Sequence, residues 1–375
     1  MKSNTKKIRI LTVLPGLAFD GGMQNYVMNY YNLIHNDISM DFIVHKPSDD
    51  FFKNKIQSNG DNVYKLLKFN LRNYFRNKRA INIFFKSHHD YDIIHCHMAN
   101  AASLYFKAAK KYGINVRIMH SHQYKYADIL SHSIRNWLLV KLGLRYATHY
   151  FACSKRAGDF LFKGKKYYII NNAIDVSRFR YDEKVRATLR RKLGINSSFA
   201  IGTVGRLCPA KNQKFLIDVF RYINQKTDSK LLIVGNGALR TQLASYAKES
   251  GLENNVLFIE PSARIEQYYQ AMDYFVLPSL FEGLGIVNIE AQCSGLRTLV
   301  STNVPKEARV SELVSYLDLA KGAEYWANNI IEHRGYSRTT HAEDVTKHGY
   351  NLSTEKDKLL YIYRKITKES YGETK

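Results

Sequence analysis

Short apolar runs alternate with longer amphipathic stretches along the whole chain. In the first half, IRILTVLP, MDFIVHK, NVYKL, DIIHCHM, VRIMHSH and HYFACS have the length and the β-branched and aromatic content of strands, and the segments between them carry helical spacing. Strands separated by helices predict a parallel sheet covered on both faces. The second half repeats the pattern with FAIGTVGRL, KLLIVGNG, NVLFIE, YFVLPS and RTLVS. The polar, charged stretch NNAIDVSRFRYDEKVRATLRRKLGINSS between the halves suits a linker and a lead-in helix, which puts a boundary near residues 175–198. The expected fold is α/β, with two doubly wound, Rossmann-like parallel-sheet domains at 1–180 and 181–352. The segment STEKDKLLYIYRKITKES then predicts a terminal helix within 353–375.

Length agrees with two domains, since 375 residues exceed one ordinary core and 45% hydrophobic residues can fill two. The cysteines Cys96, Cys153, Cys208 and Cys293 lie more than fifty residues apart, a spacing that fits neither a zinc cluster nor a compact disulfide framework and points to a reducing cytoplasm. The N-terminal run resembles a signal peptide, but Pro15, Gly16 and the absence of a small-residue cleavage site favour a first strand. No segment has the apolar length of a membrane span. The net charge of +23 is uneven: residues 1–182 hold 29 Lys and Arg against 12 Asp and no Glu. A nucleic acid, an anionic membrane or a phosphorylated substrate would each account for that field.

Open parallel sheets bind ligands beyond the carboxyl ends of their strands, so residues just past strand ends are the candidates. Arg206 and Lys211 follow FAIGTVGRL, at the start of a helix whose unpaired amides favour anions. The turn VGNG after the next strand is a weak signal by itself. In LPSLFEGLGIVNIEAQ, a strand leads through Gly283 and Gly285 into a helix opened by the amides of Leu284, Gly285, Ile286 and Val287. Glu282 and Glu290 flank those amides, and two carboxylates beside an anion site describe a ligand both phosphorylated and hydroxyl-rich. The plainer reading of Glu290 is an ion pair with a neighbouring Arg or Lys.

The ordered set Gly21-Gly22, Arg206, Lys211, VGNGALR, PSLFEGLG and Glu290 resembles the retaining nucleotide-sugar glycosyltransferases of family 4, and FDGGMQNYVMNYYNLI with MHSH resembles their bacterial exopolysaccharide and capsule branch. The resemblance implies the GT-B fold, with two Rossmann-like domains facing a cleft and the C-terminal helix crossing back to the first. It implies that the first domain binds the acceptor and the second the nucleotide sugar. Arg206 and Lys211 would hold the donor diphosphate, Glu290 the ribose hydroxyls, and Glu282 with the amides of Gly283 to Val287 the transferred sugar. Gly21 and Gly22 would admit the sugar phosphate, and His120 would stand near the reaction centre. A UDP-sugar is the favoured donor, a lipid-linked saccharide the acceptor, and no cofactor or metal is expected. The chain departs from the family pattern at Ala173 in NNAID and at Glu260-Pro261.

Other readings stay open. A nucleotide-sugar epimerase would share this architecture, and a basic nucleic-acid-binding protein would explain the charge but leave Arg206, Lys211, Glu282 and Glu290 without purpose. Asp90 and Asp92 form an Asp-x-Asp at a strand entrance, away from the ligand end. His95, His97, His120 and His122 form two His-x-His pairs, each on one face of its strand, which suit a polar cleft better than zinc. Leu71, Tyr74, Phe75 and Phe85 alternate with Arg72, Arg76, Arg79 and Lys86 at helical spacing, and a basic amphipathic face of this kind rests on anionic lipid. The expected location is therefore cytoplasmic, peripheral at the inner face of the cell membrane.

Overall fold

The computed structural model describes residues 7–17, 22–70, 72–123, 126, 130–260 and 264–372. The chain divides into two compact units, residues 1–172 with 352–375, and residues 173–351. The division falls before the expected 180 because Ile174 and Phe179 are buried in the core of the second unit.

The first unit contains strands β1 (Ile8–Leu14), β2 (Ile38–Val44), β3 (Val63–Lys65), β4 (Ile93–Cys96), β5 (Val116–Ser121), β6 (His149–Ala152) and β7 (Tyr168–Ile169), ordered β3-β2-β1-β4-β5-β6-β7 in one sheet. Every pairing in it is parallel. Leu11, Val13, Ile94 and Met119 from the strands pack against Phe85, Tyr105 and Phe106 from the helices, which is why these strands read as unbroken apolar runs. The C-terminal helix Leu352–Tyr371 belongs to this unit; it packs on the helix Gly22–Ile34 and on β5, and it buries Leu359, Leu360, Ile362, Tyr363 and Ile366.

The second unit contains β8 (Phe199–Val204), β9 (Ser229–Val234), β10 (Val256–Ile259), β11 (Tyr274–Leu277), β12 (Arg297–Ser301) and β13 (Val314–Leu317) in the order β10-β9-β8-β11-β12-β13, again all parallel. Ala200, Leu232 and Val234 enter one core cluster while Ile201, Leu231 and Ile233 enter another, so strand alternation loads both faces of the sheet. In each unit the winding reverses beside the first strand, between β1 and β4 and between β8 and β11. A doubly wound sheet opens its ligand crevice at that reversal, so the loops after β8 and β11, and those after β1, β4 and β5, mark the two places to examine.

Candidate active site

In the second unit the loops after β8 and β11 are tied together. β8 gives way to Gly205 and Arg206, and a 3-10 turn at Pro209–Lys211 ends on Asn212, which takes a left-handed conformation with φ 55°. Asn212 Nδ2 donates to the Pro278 carbonyl at 3.2 Å, and the Leu280 amide donates to the Ala210 carbonyl at 2.8 Å. This stitching delivers Lys211 to Glu282: Nζ lies 2.6 Å from Oε1, with side-chain exposures of 20% and 7%. Ser279 Oγ donates to the same oxygen at 2.7 Å. The loop after β9 is held as closely, since a Cβ on Gly235 would stand 1.9 Å from the Gly205 carbonyl oxygen and one on Gly237 2.3 Å from that of Leu207. VGNG is thus a requirement of backbone packing.

Gly285 caps the helix Ile286–Cys293 with φ 81°, a conformation that glycine adopts without strain. Leu284 is buried in the core and Ile286 and Val287 pack against it, so side chains anchor the turn while its backbone stays available. Among the described residues the amides of Gly283 to Val287 donate no hydrogen bond. Glu290, one turn into the helix, accepts a hydrogen bond from the buried Tyr269 hydroxyl at 2.5 Å, and among the described residues no Arg or Lys forms an ion pair with it. A neutral donor leaves the charge uncompensated, and burial pushes the Glu290 carboxyl up to about 7 against the downward pull of Tyr269, Arg178 and Lys211. Lys211, Glu282 and Glu290 therefore converge on one end of one sheet. Arg206 stands exposed at the same strand end, its carbonyl 2.9 Å from Gln213 Nε2.

A larger cavity of about 1000 Å³ lies at the opposite ends of these strands, lined by Arg186, Arg190, Asp273 and Arg338. Three of its cations are already employed: Arg186 and Arg190 pair with Asp273, and Arg338 donates to the carbonyls of Tyr269, Gln270, Met272 and Ser294. These bonds tie the start of the strands to the neighbouring helices.

In the first unit, Gly21 lies outside the described residues, and Gly22 opens the helix Gly22–Ile34 with nothing within 4 Å of where a Cβ would project. Strand alternation and the β4–β5 register bring His95, His97, His120 and His122 into one stack, with ring centroids 4.2–5.1 Å apart. Within it His95 Nε2 meets His120 Nδ1 at 2.9 Å, and His97 Nδ1 meets His122 Nε2 at 2.7 Å. Burial lowers His95 and His122 to about 3 and holds His97 and His120 well below the ordinary imidazole value, so all four are neutral. His95, His97 and His120 each offer a nitrogen within 4.8 Å of the others, as do the ligand atoms of Glu312, His341 and Asp344 elsewhere. The inner histidines, however, turn their nitrogens toward one another as hydrogen-bond partners. His97, His120 and His122 line a cavity of about 270 Å³ together with Asn100, Gln123 and Asn136.

The Asp-x-Asp is structural: Asp90 pairs with Arg9, and Asp92 Oδ2 accepts the Arg9 amide at 2.9 Å. The basic helix also differs from its sequence reading. Leu71 is outside the described residues, and Phe85 is fully buried while Phe75 is 77% exposed, so those residues do not form one face. Tyr269, Ser279 and Tyr363 contact the candidate residues, and no spacing in the sequence singles them out.

Residues 20–178 match the family model described as Glycosyltransferase Family 4, and residues 185–312 match that described as Glycosyl transferases group 1. The chain belongs to the GT-B glycosyltransferases. This glycosyltransferase is similar to EpsF of Bacillus subtilis, named as a glycosyltransferase, with 27% identity over 98% of this chain and all of EpsF. The UDP-Gal:alpha-D-GlcNAc-diphosphoundecaprenol alpha-1,3-galactosyltransferase of Escherichia coli is 28% identical over 56% of this chain and 58% of its own length. Among solved structures, Anabaena HepE in complex with UDP and glucose superposes with a TM-score of 0.78 at 19% identity, covering 96% of this chain and all of HepE, which shows the shared fold. Bacterial exopolysaccharide and capsule biosynthesis enzymes are among the relatives of this glycosyltransferase.

Proposed function

We propose that this glycosyltransferase moves a sugar from a UDP-sugar to a lipid-linked or polysaccharide acceptor in exopolysaccharide or capsule assembly, with retention of configuration and without a metal. The observation that carries the reading is the convergence of Lys211, Glu282 and Glu290, at the reversal point of the second sheet, beside the amides of Gly283 to Val287, which donate to none of the described residues. Lys211 and Arg206 neutralise the departing diphosphate, the charge that a divalent cation would otherwise supply. The amides of Gly283 to Val287 and Glu282 hold the transferred sugar, and Glu290 accepts from the ribose hydroxyls. In the first unit, Gly22 leaves space for a bound phosphate, and His120 is the residue proposed to contact ligand there. The E. coli relative, named for a UDP-galactose donor and a diphosphoundecaprenol acceptor, supports the choice of substrates.

A ligand that binds only the folded chain raises its melting temperature by mass action, so UDP at about a hundredfold excess over its Kd should raise Tm by about 5 °C, with orthophosphate giving no comparable shift. Indifference to every nucleotide in a panel overturns the assignment. Release of an altered nucleotide sugar without an acceptor indicates an epimerase instead.

A lipid-linked acceptor calls for contact with a membrane, and among the described residues no helix is long and apolar enough to cross one. The helix Leu130–Leu144 offers a peripheral alternative, because Ile134, Leu138 and Leu142 recur every fourth residue and all three are exposed. Lys141, 3.9 Å above the Trp137 ring, and Arg145 flank this ridge. Apolar insertion beside cations is the chemistry of binding to anionic leaflets. Leu138→Glu should cut co-sedimentation with phosphatidylglycerol vesicles by at least about tenfold, while the wild type releases as salt rises. Equal binding to neutral and anionic vesicles would defeat the proposal.

A further inference from the structure

The histidine stack is a directional chain whose far end is on the C-terminal helix. Tyr363, 2% exposed, places its hydroxyl 2.7 Å from His95 Nδ1. The other nitrogen of His95, Nε2, is the partner of His120 Nδ1 at 2.9 Å. His120 Nε2 is buried and makes no hydrogen bond to any described residue, while the His120 ring lines the 270 Å³ cavity. Both contacts are long-range in sequence, and both lie within the first unit.

A neutral imidazole has one donor and one acceptor nitrogen, so each partner dictates what the next nitrogen does. Among the described residues the Tyr363 hydroxyl has His95 Nδ1 as its single acceptor. A buried O–H left without an acceptor loses its full desolvation cost, so the proton points to His95 Nδ1. That makes Nδ1 of His95 the acceptor and Nε2 the donor. His95 Nε2–H then donates to His120 Nδ1, which leaves the remaining proton of His120 on Nε2. The opposite polarity would strand the phenolic proton in the core.

We infer that Tyr363 and His95 are positioning residues that fix His120 as the Nε2–H tautomer, presenting a neutral hydrogen-bond donor to an oxygen of a hydroxylated ligand in the cavity. The inference deepens the proposed function, on which the role of His120 rests. His97 and His122, stacked alongside at 4.3 and 4.2 Å from His95 and His120, restrain the plane of the ring, and the Tyr26 ring abuts His120 edge-on at 5.3 Å between centroids. Burial keeps the imidazoles unprotonated, which the alternation of donor and acceptor requires.

The decisive measurement is the imidazole nitrogen NMR spectrum of the full chain labelled with ¹⁵N-histidine, with His120 assigned by its loss in His120→Asn. His120 should show a protonated Nε2 and an unprotonated Nδ1, and Tyr363→Phe should convert it to a mixture of tautomers. Turnover of Tyr363→Phe should fall about tenfold with donor KM unchanged, the size of one removed hydrogen bond. A wild-type His120 protonated at Nδ1 overturns the inference, and this reading does not depend on Tyr363→Phe folding. So does a folded Tyr363→Phe protein with wild-type tautomers or wild-type kcat. If no nucleotide sugar is turned over, the proposed function fails while the spectrum still decides the tautomer.

Discussion

Lys211→Ala is expected to lower turnover by about 10²–10³-fold, the loss that follows removal of one fixed charge aimed at the leaving group. The same substitution will also cost about 2 kcal/mol of stability, because Glu282 is 7% exposed and would lose the Lys211 ammonium while keeping Ser279. The two effects separate in the double variant. Lys211→Ala with Glu282→Gln replaces the stranded carboxylate by an amide that still accepts from Ser279, so denaturant midpoints should recover toward wild type while transfer stays low. Turnover is measured with radiolabelled donor and stability by urea titration. A Lys211→Ala protein that transfers at the wild-type rate removes the diphosphate role.

Donor affinity should rise with pH across neutrality, following Glu290. Its carboxyl titrates at about 7 in the folded chain, raised from 4.5 chiefly by burial. Only the carboxylate accepts from two hydroxyls without carrying a proton of its own, so below the titration each pH unit should weaken binding by about tenfold. Tyr269→Phe removes the hydrogen bond that pulls the value down, and so should move the midpoint to higher pH. Glu290→Gln should flatten the profile and serve as the control for titration of the phosphate itself. Calorimetric Kd values for UDP between about pH 5.5 and about pH 8.5 test this, and a wild-type profile parallel to that of Glu290→Gln refutes it. The linked effect on folding has the opposite sense. A raised folded value means that the stability tied to Glu290 is fully present below 4.5 and is lost as pH rises to about 7.

Eleven strands were read correctly in place, the central ones because a strand covered on both faces is apolar at nearly every position. β7 and β13 were not. β7 has two residues and β13 has only Val314 buried, with Ser315 exposed, so neither carries the signature of a covered strand. The reversal of winding made the strand ends informative, which is how Arg206, Lys211, Glu282 and Glu290 could be chosen. Their partners could not be. Lys211 and Glu282 are 71 residues apart, and His95 and Tyr363 are 268 apart. Spacing reveals neighbours along one helix or strand but not side chains that meet across loops. Phe85 failed for a related reason: helical periodicity identified an apolar stripe, yet the stripe that covers the sheet and the residues left outside it look alike in one dimension.

The helix Leu352–Tyr371 completes the first unit although residues 173–351 are synthesised before it. On the ribosome the second unit can therefore fold while the first still lacks Leu359, Leu360, Tyr363 and Ile366 from its interior. The order of maturation is inverted relative to the order of translation. A nascent first unit waits with an exposed apolar flank, and chaperone capture should be concentrated there until the final helix emerges.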